Sequence, residues 1–132
     1  MSNAAAFVAG IGVAVAVCLF ARMTGFDRDR SFYPTVLTVI GLLYVLFAAI
    51  DGSARALVPE TMGMIVFVAL AVAGFKRSLW IVAVGLAAHG VFDFFHPDLI
   101  ANAGVPAWWP AFCGACDIAL AAWVGIGARH DA

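Results

Sequence analysis

The sequence predicts an all-α fold: an integral membrane bundle of five transmembrane helices, a single domain over residues 1–132, with the N-terminus outside and the C-terminus in the cytoplasm. Three observations predict it. Of the residues, 65% are hydrophobic and only 11% charged, whereas a soluble domain carries roughly a quarter charged residues. Apolar runs of about 20 residues, the length that crosses a hydrocarbon core, recur along the whole chain and leave no room for a soluble domain. Threaded through a bilayer, those runs put nearly all the basic residues on one side. The formal net charge of -1 shows no basic excess for nucleic acid, so no nucleic-acid partner is expected and the lipid bilayer is the expected one.

The first span covers about residues 4–22 and carries a row of small side chains, Ala6, Gly10 and Ala14, that lets another helix approach closely. No basic flank precedes this run and further spans follow it, so it reads as a helix rather than a cleaved signal peptide. After the polar stretch TGFDRDRS, Pro34 stands where a second helix begins, since proline is tolerated in a first turn. That span, about 34–50, ends before Asp51-Gly52. The third, about 56–75, begins somewhere between Ser53 and Pro59, which leaves Glu60 either at the surface or more than one turn inside. Lys76-Arg77-Ser78 is a tight connection that makes the third and fourth spans antiparallel neighbours. The fourth covers about 79–96, and the loop PDLIANAGVPA leads to the fifth, about 108–128.

Cytoplasmic loops are enriched in Lys and Arg. With the N-terminus outside, Arg22, Arg28, Arg30, Lys76, Arg77 and Arg129 fall inside and only Arg55 outside. Trp108 and Trp109 then mark the outer interface as part of an aromatic belt.

Against this apolar background the polar residues of the outer half stand out. His89, Asp93 and His96 follow one another at four and three residues, which places them on one helical face within an arc of about 60°. Cys113, Cys116 and Asp117 share an arc of about 100° on the fifth span. At 1.5 Å per residue the two groups overlap in depth. Charged groups inside a bilayer are costly and usually face a partner or a water-filled cavity. Imidazole, thiolate and carboxylate are the ligands of zinc, copper and iron, so His89, Asp93, His96, Cys113, Cys116 and Asp117 form a candidate metal site. It would serve metal handling or metal-assisted chemistry on a small lipid-soluble ligand, with Asp93 or Glu60 as the candidate catalytic base. The same residues also fit a purely structural network that holds the bundle, or a homo-oligomer, together. A third reading is a thiol-disulfide oxidoreductase using Cys113 and Cys116, near the start of a helix on the oxidising side, where one local disulfide bridge is possible. His96 and Asp98, near the end of the fourth span, are expected at the surface, with a solvated role.

With Glu60, His89, Asp93, His96, Trp109-Pro110, Cys113, Cys116 and Asp117 in place, the chain resembles domain of unknown function family 6010, a family of small bacterial membrane proteins. The resemblance covers mainly the third to fifth spans. Where that family tends to carry a second histidine, directly after His96, this chain has Pro97. The resemblance implies a multi-pass protein of the bacterial inner membrane and points to the same polar positions without supplying a chemistry. Alkaline ceramidase-type zinc hydrolases also use histidine and aspartate within a bundle, but of seven helices.

Overall fold

In the computed structural model, which describes residues 1–131, the chain folds into five long helices and one short turn of 3-10 helix. α1 spans Asn3–Thr24, α2 Phe32–Asp51, α3 Ala54–Lys76, α4 Leu79–Leu99 and α5 Trp109–Asp131, with the 3-10 turn at Phe26–Arg28. All five are long and apolar enough to cross a membrane. At 20 to 23 residues they reach about 30 Å or slightly more, the thickness of a hydrocarbon core.

Local chemistry sets the helix ends. Ser2, Ser53 and Ser78 cap α1, α3 and α4 by accepting from backbone N–H groups of the first turn. Gly25 and Gly52 end α1 and α2 in the left-handed conformation, at φ of 81° and 73°, which glycine adopts without a Cβ penalty. Before α2, the Asp29 carboxylate accepts from the hydroxyl and the backbone N–H of Ser31, and those bonds hold its pKa below the ordinary value. Pro34 is the third residue of α2, inside its first turn as expected. Pro97 does not end α4. It removes one N–H near the C-terminus, and the chain completes another turn that Ile100 N–H closes on the His96 carbonyl at 3.0 Å.

α5 packs against both α4 and α1, α2 pairs with α3, and α3 and α4 form the expected antiparallel hairpin. Small residues permit the closest approaches. Ala6 and Ala14 of the α1 row are buried, and Gly10 lies so near α5 that an added Cβ would sit 2.1 Å from the Phe112 carbonyl oxygen. The molecule is apolar on its outside and keeps a group of polar side chains within its largely apolar core. Val8, Leu19, Phe20, Val58, Met62, Ile65 and Val84 are exposed, while Glu60, His89, Asp93, His96 and Asp117 are buried. This inversion, together with the helix lengths, is the build of a multi-pass membrane protein.

Candidate functional site

The buried polar side chains gather at one end of the bundle, where α2 and α4 finish and α3 and α5 begin. α4 and α5 supply the core of the cluster. One helical turn separates His89 from Asp93 and Cys113 from Asp117, so each pair projects from one face, and the close packing of α4 on α5 turns the two faces toward each other. That packing depends on Gly90 and Gly114. A Cβ at Gly90 would stand 3.1 Å from the Gly114 carbonyl oxygen, and one at Gly114 would meet the Phe94 ring at 2.7 Å.

His89 Nδ1 is hydrogen-bonded to Asp117 Oδ2 at 2.6 Å and lies 3.4 Å from Asp93 Oδ2. The Cys113 thiol reaches the Asp117 carboxylate at 3.7 Å. Asp93 Oδ1 accepts from the Tyr44 hydroxyl of α2 at 2.6 Å, while Asp93 Oδ2 is buried with no hydrogen-bond partner. One ligand atom from each of His89, Asp93, Cys113 and Asp117 lies within 4.8 Å of the other three. Ligands of a tetrahedral zinc ion stand about 3.5 Å apart, so small side-chain movements bring these four to bonding distance. The unpaired Asp93 oxygen and the mixed nitrogen, oxygen and sulfur donors suit such an ion.

A second pair lies beside the first. His96 Nε2 bonds Glu60 Oε2 at 2.7 Å, and Asn102, from the segment between α4 and α5, donates to the same oxygen at 2.7 Å and to the Tyr44 carbonyl at 3.2 Å. The Tyr44 ring stacks on His96 with centroids 3.8 Å apart and planes 4° apart. Glu60 is the seventh residue of α3, more than one turn inside it and 2% exposed.

Of the six predicted metal ligands, the structure brings together His89, Asp93, Cys113 and Asp117. His96 is paired with Glu60 instead, and its expected surface position is corrected: it is 2% exposed, because α4 runs on past Pro97 and the Tyr44 ring covers the imidazole. Asp98 is exposed as expected. Cys116 stands outside this group of four; its backbone nitrogen is 3.1 Å from where a Cβ on Gly10 would sit, and its thiol is near enough to Cys18 of α1 to feel its charge. Both α5 cysteines are free thiols and buried. Sequence reasoning missed Tyr44 and Asn102. Tyr44 had left a trace, as the one polar-tipped side chain between Thr38 and Asp51; Asn102 sits in a polar connection where asparagine is ordinary.

The chain matches no family model, no curated protein and no solved structure.

Proposed function

We propose that this chain is a multi-pass protein of the bacterial inner membrane that holds a transition-metal ion, zinc before copper or iron, at His89, Asp93, Cys113 and Asp117. The observation that carries the reading is the convergence of four ligand atoms within 4.8 Å at fully buried positions. Charge supports it. Two carboxylates buried beside a single imidazole are costly in an apolar medium, and a divalent cation held by Asp93, Asp117 and the Cys113 thiolate would reduce a charge of −3 to −1. Four protein donors complete a tetrahedral shell with no open position, the mark of a site that holds its metal rather than one that activates a water. The donor count therefore favours metal handling over metal-assisted catalysis, and Glu60, engaged with His96 and Asn102, is a neighbour of the site rather than its base. The bacterial setting follows the family resemblance, and the location of the site in the outer half follows the charge split of the loops.

The hydrogen bonds themselves favour a second reading. Tyr44 to Asp93, His96 to Glu60 and His89 to Asp117 tie α4 to α2, α3 and α5, which is what a network built only to hold the bundle would do. One experiment separates the two. Protein purified in detergent without a histidine tag is loaded with zinc, copper or iron, desalted, and assayed for metal. Stoichiometric metal that is lost in His89→Ala and Asp117→Asn supports the site; metal absent after loading, with both variants merely less stable, leaves the network alone.

A further inference from the structure

The opposite end of the bundle holds a cavity that the metal cluster does not use. It has a volume of about 370 Å³ and lies where the end of α1, the 3-10 turn, the starts of α2 and α4, and the last turns of α5 converge. It opens because α1 packs on α5 and α2 on α3, while α1 and α2 are not close neighbours. Its polar lining is Arg22, Asp27, Tyr33 and His130, and its apolar lining includes Trp123 and Ile126.

Three features make it a binding site rather than a packing flaw. The Tyr33 hydroxyl is buried and forms no hydrogen bond of full geometry, with only looser contacts to the Cys18 thiol and the Trp123 indole, although a buried hydroxyl ordinarily finds a full partner. Arg22 and Asp27 carry opposite charges at the rim, yet neither forms an ion pair with any described residue. The Arg22 guanidinium lies 5.9 Å from the Trp123 ring centroid, within cation–π reach at the mouth of the cavity. Basic residues cluster at this end of the chain, which places it at the cytoplasmic surface of the membrane.

We propose that this cavity binds the head group of an aminophospholipid: a phosphate diester joined to a primary ammonium, on a glycerol whose acyl chains stay in the bilayer. Arg22 and Asp27 complement a head group that carries one charge of each sign, with His130 a further polar group of the lining. Arg22 takes the phosphate, Asp27 accepts from the ammonium, and the Tyr33 hydroxyl meets a phosphate or glycerol oxygen. A purely anionic head group leaves Asp27 facing negative charge. A choline head group has no N–H to donate to Asp27, and the Trp123 face that would hold a quaternary ammonium is already covered by Arg22. The volume accommodates a head group and glycerol but not the chains, which the exposed Ile126 side leaves free to lie in lipid.

The test is native mass spectrometry on the full-length chain, delipidated in detergent and supplied separately with phosphatidylethanolamine, phosphatidylglycerol, phosphatidylcholine or soluble glycerophosphoethanolamine. Retention of phosphatidylethanolamine should exceed that of the other two lipids by about tenfold, the equivalent of one charge-assisted hydrogen bond. Arg22→Gln and Asp27→Asn, both at accessible positions, should each erase that preference. Tyr33→Phe, which removes only the hydroxyl, should weaken retention without changing helix content. Equal retention of the three lipids, or a preference untouched by Arg22→Gln and Asp27→Asn, overturns the proposal. Soluble glycerophosphoethanolamine held as tightly as the lipid overturns the assignment to a membrane ligand.

Discussion

Tyr44 connects the two halves of the polar cluster, its hydroxyl on Asp93 and its ring on His96. Tyr44→Phe keeps the stack and deletes the hydroxyl, leaving both oxygens of a buried carboxylate without a donor from α2. The expected cost is about 1–3 kcal/mol, the penalty for orphaning a buried polar group, read as a lower midpoint of unfolding in detergent. An unchanged midpoint would show that the hydroxyl contributes nothing to Asp93. Which residues of the site were legible follows from the kind of spacing involved. His89 with Asp93, and Cys113 with Asp117, are one turn apart on their own helices, and a helical period is written in the sequence. The pairs that join different helices, Tyr44 with Asp93 and His96 with Glu60, depend on rotation and depth that no single helix encodes. Cys116 shows the reverse limit: an arc of about 100° is wide enough to face two neighbours, and this residue stands outside the group of four, close to α1.

At the scale of elements, helix existence was set by apolar length and helix ends by chemistry. Pro34, Gly52 and the serine caps signal their boundaries openly, whereas Pro97 signals a stop that the chain overrides for another turn. The row of small residues on α1 foretold a close neighbour but not which one. That neighbour is α5, and Gly10 decides how closely the two approach. Gly10→Leu forces bulk against the Phe112 carbonyl and should destabilise the bundle by about 1–3 kcal/mol, as overpacking does. Gly12 has nothing within 4 Å of its would-be Cβ, so Gly12→Leu should stay within about 0.5 kcal/mol of the parent, as exposed substitutions do. Paired unfolding curves in one detergent check this, and equal effects at the two glycines would mean that α1 does not pack on α5 through this face.

For the whole molecule, the number of spans was readable because bilayer thickness fixes helix length, and the neighbour order was not, because generic Val, Ala, Leu and Phe cover most of each helix. Orientation is a different quantity, carried by seven basic residues and by nothing in the packing. Alternating helices put the α1 and α3 ends, the starts of α2 and α4, and the end of α5 on one side, and that side holds every Lys and Arg except Arg55. The inverted arrangement would send all six of those cations across the membrane while keeping only Arg55 inside, against the bias that governs insertion. A green fluorescent protein fused behind α5 should therefore fluoresce, and an alkaline phosphatase inserted in the segment between α4 and α5, near Ala103, should be active. A dark fluorescent fusion behind α5 together with an inactive phosphatase near Ala103 would reverse the orientation. The His89, Asp93, Cys113 and Asp117 cluster would then face the cytoplasmic half, and the Arg22 and Asp27 cavity the outer leaflet, so this one measurement fixes which compartment supplies the ligand of each.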